Sequence, residues 1–444
     1  MGDASQQING RVQHVAIEIA QLNKGLAESI KGKLESSIPS LNGSQCSIYR
    51  VHEKFCKLNK YAYTPEMISI GPFHRGKGNL PAMEDHKLRY VHALLSRTAT
   101  IGPKLEECVE SIREIEEEAR KCYSEPINMN SNEFVEMMLV DGLFIIELFR
   151  KSAGKVKSER DDPIFGNIWG LSSLVRDLIL LENQIPMRVL NCLFNQPALK
   201  EELEGSCSFN MLALRFFNPL MPREKEVLKN YSKCEGKHLL DLLGKTFHDL
   251  PERGKSKNNS WKFIPSVTEL KRAGVKFKKS STRGSFLDIK FNDGVLEIPP
   301  VIIQDQTDSL LRNLIASEQC CDGHVTYMTS YAFFMDSLIN SADDVGLLRN
   351  QGIITNYLGD DEDVSALFNK LCCEVTLANF YYAELCDQVN IYYKTRWHKW
   401  RATLKRDYFH NPWAILSVIA AVVLLALTLT STIFGSLSYL VHKS

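Results

Sequence analysis

The sequence predicts a mainly α-helical protein: a multi-helix globular cytosolic region with one small β-hairpin and a single C-terminal transmembrane helix. Three observations carry this. Apolar residues recur every three or four positions through much of the 444-residue chain, one stretch alternates polar and apolar around a turn, and residues 411–441 contain no Asp, Glu, Lys, Arg or His. With 44% hydrophobic and 24% charged residues, wholesale disorder is excluded. The 53 Lys+Arg balance 53 Asp+Glu, so the net charge is zero. A general nucleic-acid binder, which needs a basic surface to release counterions, is therefore not expected.

In chain order, residues 1–40 are expected as an amphipathic helix striped by Val12, Val15, Ile19, Leu22, Leu26, Ile30 and Leu34. A helical core region follows over 41–250. Its first clear helix carries Leu105, Val109, Ile112 and Ile115, with Glu106, Glu107, Glu110 and Glu114 on a solvated face. The run 137–149 is apolar nearly all round, as a central helix would be, and is interrupted by Asp141 and Glu147. The run 171–181 is similar, contains Arg176 and Asp177, and leads into Glu182-Asn183-Gln184-Ile185-Pro186. Ionised groups in such helices are costly unless paired, and Arg150, Arg176 and Arg188 are the local candidates.

Residues 151–162 read as a polar linker and 251–260 as a mobile one, which divides the core from a second half, 261–410. That half opens with the β-hairpin: Phe286-Leu287-Asp288-Ile289-Lys290-Phe291, a turn at Asn292-Asp293-Gly294, and Val295-Leu296-Glu297-Ile298. Helices resume near Thr307, and Asp343, Asp360, Asp361 and Asp363 fall where N-caps and first-turn acids are expected. A Tyr- and Trp-rich helix from about 377 onward runs into 411–441. Those uncharged residues exceed the ~20 that a membrane span needs. Lys394, Arg396, Lys399, Arg401, Lys405 and Arg406 lie upstream of them and only Lys443 lies beyond. The positive-inside rule then keeps the bulk of the chain cytosolic, as a tail-anchored, single-pass protein of the plasma membrane or endoplasmic reticulum. Twelve cysteines without a Cys-x-x-Cys pair, and a start with no secretory signal, suit the same compartment.

Chemistry is sparse. There is no Gly-x-Gly-x-x-Gly, Walker loop, Gly-x-Ser-x-Gly or His-Glu-x-x-His, so neither a cofactor nor a metal is expected. Gly359-Asp360-Asp361-Glu362-Asp363 opens a helix and reads as capping. Gly71-Pro72-Phe73-His74-Arg75-Gly76-Lys77-Gly78 reads as a turn with positive-φ glycines. What remains is a set of buried acids, Asp141, Glu147, Asp177 and Glu182, with His74 as a base. Around a cavity, desolvation would raise their pKa values and fit them for proton transfer. Buried polar networks that fix helix register are the commoner use of such residues.

Several segments, in order, resemble a known family: Ile48-Tyr49-Arg50-Val51, Ala62-Tyr63-Thr64-Pro65, Ile68-Ser69-Ile70-Gly71-Pro72-Phe73-His74, Asp141-Gly142-Leu143-Phe144, Leu180-Leu181-Glu182-Asn183-Gln184-Ile185-Pro186, Gly294-Val295-Leu296-Glu297-Ile298-Pro299, Leu311-Arg312-Asn313-Leu314 and Asn411-Pro412-Trp413-Ala414. Together they resemble the plant-specific domain of unknown function 247, over roughly residues 48–440. The resemblance implies one family domain spanning both halves, a helical fold, one C-terminal membrane helix and, for most members, no assigned activity. Some grass members are associated with pollen-side self-incompatibility, which favours recognition. Two departures stand out: His52-Glu53 replaces the Pro that usually follows Arg-Val, and Arg75 takes the place of a second His after His74.

Two functions are therefore expected in competition. One is a membrane-anchored recognition, signalling or interaction module with a protein partner. The other is a membrane-tethered, metal-independent acid/base enzyme, an isomerase, cyclase or lyase, acting on a hydrophobic plant metabolite through Asp141, Glu147, Asp177, Glu182 and His74.

Overall fold

The computed structural model describes residues 22–32, 46–78, 80–97, 101–157, 162, 164–166, 168–199, 208–248, 250, 261–281, 284–320, 326–395 and 412–441. The helices that matter below are α1 (Glu84–Leu95), α2 (Ile101–Glu114), α3 (Ser131–Ser152), α4 (Ile168–Asp177), α5 (Met187–Phe194), α6 (Phe209–Phe217), α7 (Leu239–Lys245), α8 (Asp305–Gln319), α9 (Tyr327–Leu338), α10 (Ala342–Asn350), α11 (Asp361–Leu371), α12 (Ala383–Lys394) and α13 (Pro412–Val441).

The apolar run read as a central helix is one. Its 22 residues form α3, opened by a capping box in which Asn130 and Glu133 exchange side-chain-to-backbone hydrogen bonds. Arg150 and Lys151 close it, complementing the negative end of the helix dipole. Because both Asp141 and Glu147 are buried along with their apolar neighbours, α3 can be surrounded on all sides, and α1, α2, α5 and α6 pack around it. In the second half α8 takes the equivalent place, touching α7, α9, α11, α4 and the short turn Tyr61–Tyr63. One contiguous hydrophobic cluster runs from Ile48 to Val389.

The hairpin forms with shorter arms than its alternation suggests. Strands β2 (Lys290–Asn292) and β3 (Val295–Ile298) pair antiparallel with Asn292 opposite Val295. The turn takes φ of 48° at Asp293 and 77° at Gly294, the left-handed pair that a two-residue hairpin loop requires. It is not alone, however. Strand β1 (Lys276–Lys279) joins β3 in parallel, and β4 (Val301–Ile303) pairs in parallel with β5 (Ile354–Asn356). Lys276-Phe277-Lys278-Lys279 gives no apolar alternation, so propensity alone could not reveal β1.

One expectation is corrected and another gains detail. Of the stretch read as a polar linker, residues 158–161 lie outside the described residues, while its two ends, Lys151 and Asp162, are buried and paired at 2.8 Å. The membrane anchor is not supported. Helix α13 does form, but among the described residues no helix is long and apolar enough to cross a membrane. Along it the hydroxyls of Thr428, Thr430 and Thr432 donate back to carbonyls one turn earlier. The transmembrane, single-pass and tail-anchored assignments, and the membrane localisation drawn from them, fall together. Elsewhere, Leu22, Leu26 and Ile30 lie on a helical, exposed stretch. The rest of the N-terminal stripe, the 251–260 linker and the basic segment 396–406 lie outside the described residues.

Candidate functional site

Three of the four acids, Asp141, Asp177 and Glu182, sit at one kind of place: where a buried helix or its C-terminal turn meets the N-terminal segment 50–74. Asp141, at mid-helix in α3, is fully buried. Its Oδ2 accepts from the Gly71 amide at 2.8 Å and its Oδ1 from Lys87 Nζ of α1 at 2.6 Å. Lys87, also fully buried, reaches Glu84 at 2.7 Å and donates to the Ser69 carbonyl as well. Burial pushes the Asp141 carboxyl above its ordinary value, against the pull of Lys87 and the Gly71 amide. Gly71 has φ of 73°, and a Cβ there would lie 2.6 Å from the Gln184 carbonyl oxygen, so only glycine lets the chain pass this close.

Asp177 closes α4 and gathers three successive amides. Its Oδ2 accepts from Glu66 at 3.1 Å, Met67 at 2.7 Å and Ile68 at 3.0 Å, while Oδ1 accepts from Arg176 at 2.8 Å. Arg176 in turn lies over the Tyr61 ring at 3.8 Å and donates to the Thr64 carbonyl at 3.1 Å. Burial again raises the carboxyl and outweighs those amides. Glu182 accepts from the Val51 amide at 2.8 Å and from Arg50 at 3.0 Å, with His74 Nε2 3.1 Å from its Oε2. The His74 approach is an ion-pair distance, off the line of a well-directed hydrogen bond. Here burial by itself would raise the carboxyl, but His74, the Val51 amide and Arg50 prevail and hold it low.

Glu147 stands apart from these three. It lies six residues beyond Asp141 on α3, and is clamped by Arg97 and by Arg150 at 3.3 Å. Of the three arginines expected as local partners, Arg150 and Arg176 serve, whereas Arg188 pairs with Glu118.

Neutral side chains complete the tie. Asn183 accepts from the Ile70 amide at 2.7 Å and donates to the Ile68 carbonyl at 3.0 Å. Asn313 of α8 accepts from the Leu181 amide at 2.9 Å and donates to the Ala62 carbonyl at 2.7 Å. Sequence reasoning missed these roles, along with Lys87, Arg50 and the Asp162 carboxylate that accepts from Tyr90 at 2.8 Å. Polar pairs inside the apolar runs 180–186 and 310–316 were the available signal.

A carboxylate has about four acceptor sites. Asp177 accepts from every donor named above and Glu182 holds three contacts, so the chain itself uses most of their lone pairs. An open cleft of about 800 Å³ lies elsewhere, between α5, the start of α6 and residues 232–236, and is lined by Arg188, Asn191, Asn195, Asn210 and Lys233. None of the four acids nor His74 lines it. Among the described residues, no group of three or more His, Cys, Asp or Glu is placed to hold a metal ion.

Fold and site thus define a helical protein whose polar interior fastens its N-terminal segment to two central helices. The chain belongs to the DUF247 family, described as "Plant protein of unknown function", whose model matches residues 48–427. It is 30% identical to the UPF0481 protein At3g47200 of Arabidopsis thaliana, over 91% of this chain and 89% of that one. It is 25% identical to the putative UPF0481 protein At3g02645 of the same plant, over 88% and 90%. No solved structure matches the chain.

Proposed function

We propose that this chain is a recognition or interaction module whose buried acids hold its architecture instead of performing chemistry. The observation that carries this reading is the way Asp177, Glu182 and Asp141 take up the amides of Val51, Glu66, Met67, Ile68 and Gly71. A general acid or base must turn a lone pair or proton toward a substrate. These carboxylates turn theirs toward the backbone of their own chain, which is how buried polar groups specify one packing of a core.

The test pairs two measurements on plant cells making the intact chain or the Asp141→Asn plus Glu182→Gln variant, with the folded amount of each determined alongside. Untargeted metabolite profiling should give the same profile with the protein, without it and with the variant. Proximity labelling should enrich the same proteins for both forms, in proportion to folded protein. A metabolite that appears with the protein and vanishes with the folded variant would overturn the reading in favour of an acid/base enzyme.

A further inference from the structure

A second cavity, away from the four acids, has the features of a small-molecule site. Its volume is about 330 Å³, at the lower end of the ~300–1,000 Å³ that ligand pockets occupy. It lies between α7, the last turn of α8 and the first turn of α9, and its walls are mostly apolar: Leu240, Leu314, Met328, the ring of Tyr327 and the bare backbone of Gly244. His248 lies against Tyr327 with ring centroids 4.8 Å apart, giving one wall two flat, tilted rings. A Cβ on Gly244 would come within 3.1 Å of Leu314 Cδ2, so the absence of a side chain there keeps the two walls apart.

The charges around this space are mostly spoken for. Glu318 accepts from the Met328 and Thr329 amides, each at 2.8 Å, and from the Thr329 hydroxyl at 2.7 Å, capping the positive end of α9. Asp241 accepts from the Lys237 amide at 2.7 Å and pairs with Lys245 at 3.1 Å, while Lys245 also donates to the Glu235 carbonyl at 2.6 Å. The imidazole of His238 is fixed between Ser47 O and the Asp241 amide. Among the described residues, no carboxylate pairs with the Lys237 ammonium. A cation entering the cavity would meet Lys237 and Lys245 with both acids already engaged. A dianion would find a single uncommitted charge. A flat apolar monoanion suits both walls and rim.

We propose that this cavity binds a small aromatic carboxylic acid, its ring against Leu240, Leu314 and Met328 and its carboxylate at the Lys237 ammonium. The test is isothermal titration calorimetry on the full chain with naphthoate, and with the neutral and cationic relatives naphthylmethanol and naphthylmethylamine. Naphthoate should bind saturably at one site, about tenfold more tightly than the alcohol, the difference expected of one charge-assisted contact. The amine should not bind. Lys237→Ala, a change at an exposed side chain, should leave thermal unfolding unaltered and remove the tenfold preference. Ser317→Trp, which sets an indole into the cavity, should abolish binding of both acid and alcohol. Should that variant not fold, Lys237→Ala decides alone. No saturable heat with naphthoate on folded protein, equal affinity for acid and alcohol, or an unchanged preference in Lys237→Ala would each overturn the proposal.

Discussion

Replacing Asp141 by asparagine changes one atom in the middle of α3, and the structure says why that atom matters. The carboxylate accepts on both oxygens, from the Gly71 amide on one side and the Lys87 ammonium on the other. An amide side chain has one oxygen and one NH2 group. Whichever way it turns, a donor faces a donor across a contact of 2.6 or 2.8 Å at a fully buried position. Orphaning a buried donor costs about 1–3 kcal/mol, and removing one partner of a buried ion pair about 3–5 kcal/mol. Lys87 keeps Glu84 and the Ser69 carbonyl, so Asp141→Asn belongs near ~3 kcal/mol. Lys87→Met alone should cost somewhat more, about 3–5 kcal/mol, because it strands a fully buried carboxylate with one amide. The assay is urea unfolding followed by circular dichroism. With a slope of about 3 kcal/mol per molar, Asp141→Asn should lower the midpoint by about 1 M. The double variant should fall short of the sum of the singles by about 2 kcal/mol, since both remove the same pair. Singles that unfold at the wild-type midpoint, or an additive double, would refute the structural role given to Asp141.

Other outcomes can be stated as briefly as they can be tested. Burial pushes the Glu318 carboxyl from 4.5 up to about 7, despite the α9 amides that pull it down. The raised value means its contribution to stability is complete below 4.5 and is lost as pH rises toward 7, by up to about 3 kcal/mol. Glu318→Gln should flatten the pH dependence of the thermal midpoint in that window, and an unchanged slope would count against this assignment. Gly71→Ala combines a φ of 73° with a contact at 2.6 Å to backbone, so it should cost about 2–4 kcal/mol, read by the same urea titration. Asn313→Leu keeps the branched outline of the side chain but strands the Leu181 amide and the Ala62 carbonyl, for a loss of about 2–4 kcal/mol. A variant as stable as wild type would mean those groups find other partners.

The sequence made the central helix legible because nothing competes with a 3.6-residue pattern that is apolar nearly all round and well capped. It made the hairpin turn legible because Asp293-Gly294 has few conformational alternatives. Strand β1 was hidden because its lysines are held by pairing to β3, not by burial of an apolar face. The acids could be recognised as buried, since each interrupts an apolar run. Their partners could not, because a hydrogen bond between Glu182 and Val51 crosses 131 positions and leaves no local pattern. The uncharged C-terminal run shows the opposite limit: composition gave a long helix, but a helix is not yet a span. Glu318 escaped notice because it lies in an otherwise ordinary helical turn and is shut in by a helix that follows later in the chain.

The ties between the N-terminal segment and the middle of the chain also set an order of events during synthesis. Ala62 leaves the ribosome 251 residues before Asn313, the side chain that satisfies its carbonyl, and Ile68 leaves 109 before Asp177. At roughly 5–20 residues per second, the wait between Ala62 and Asn313 lasts about 10–50 s. Over that interval the Gly71, Ile68 and Ile70 amides find partners as Asp141, Asp177 and Asn183 emerge, the Ala62 carbonyl still waits, and α3 can already assemble with α1 and α2 from contacts close in sequence. The part of the described core made earliest is therefore among the last to be locked, and a nascent chain of this protein spends its elongation time with an open flank for a chaperone to cover.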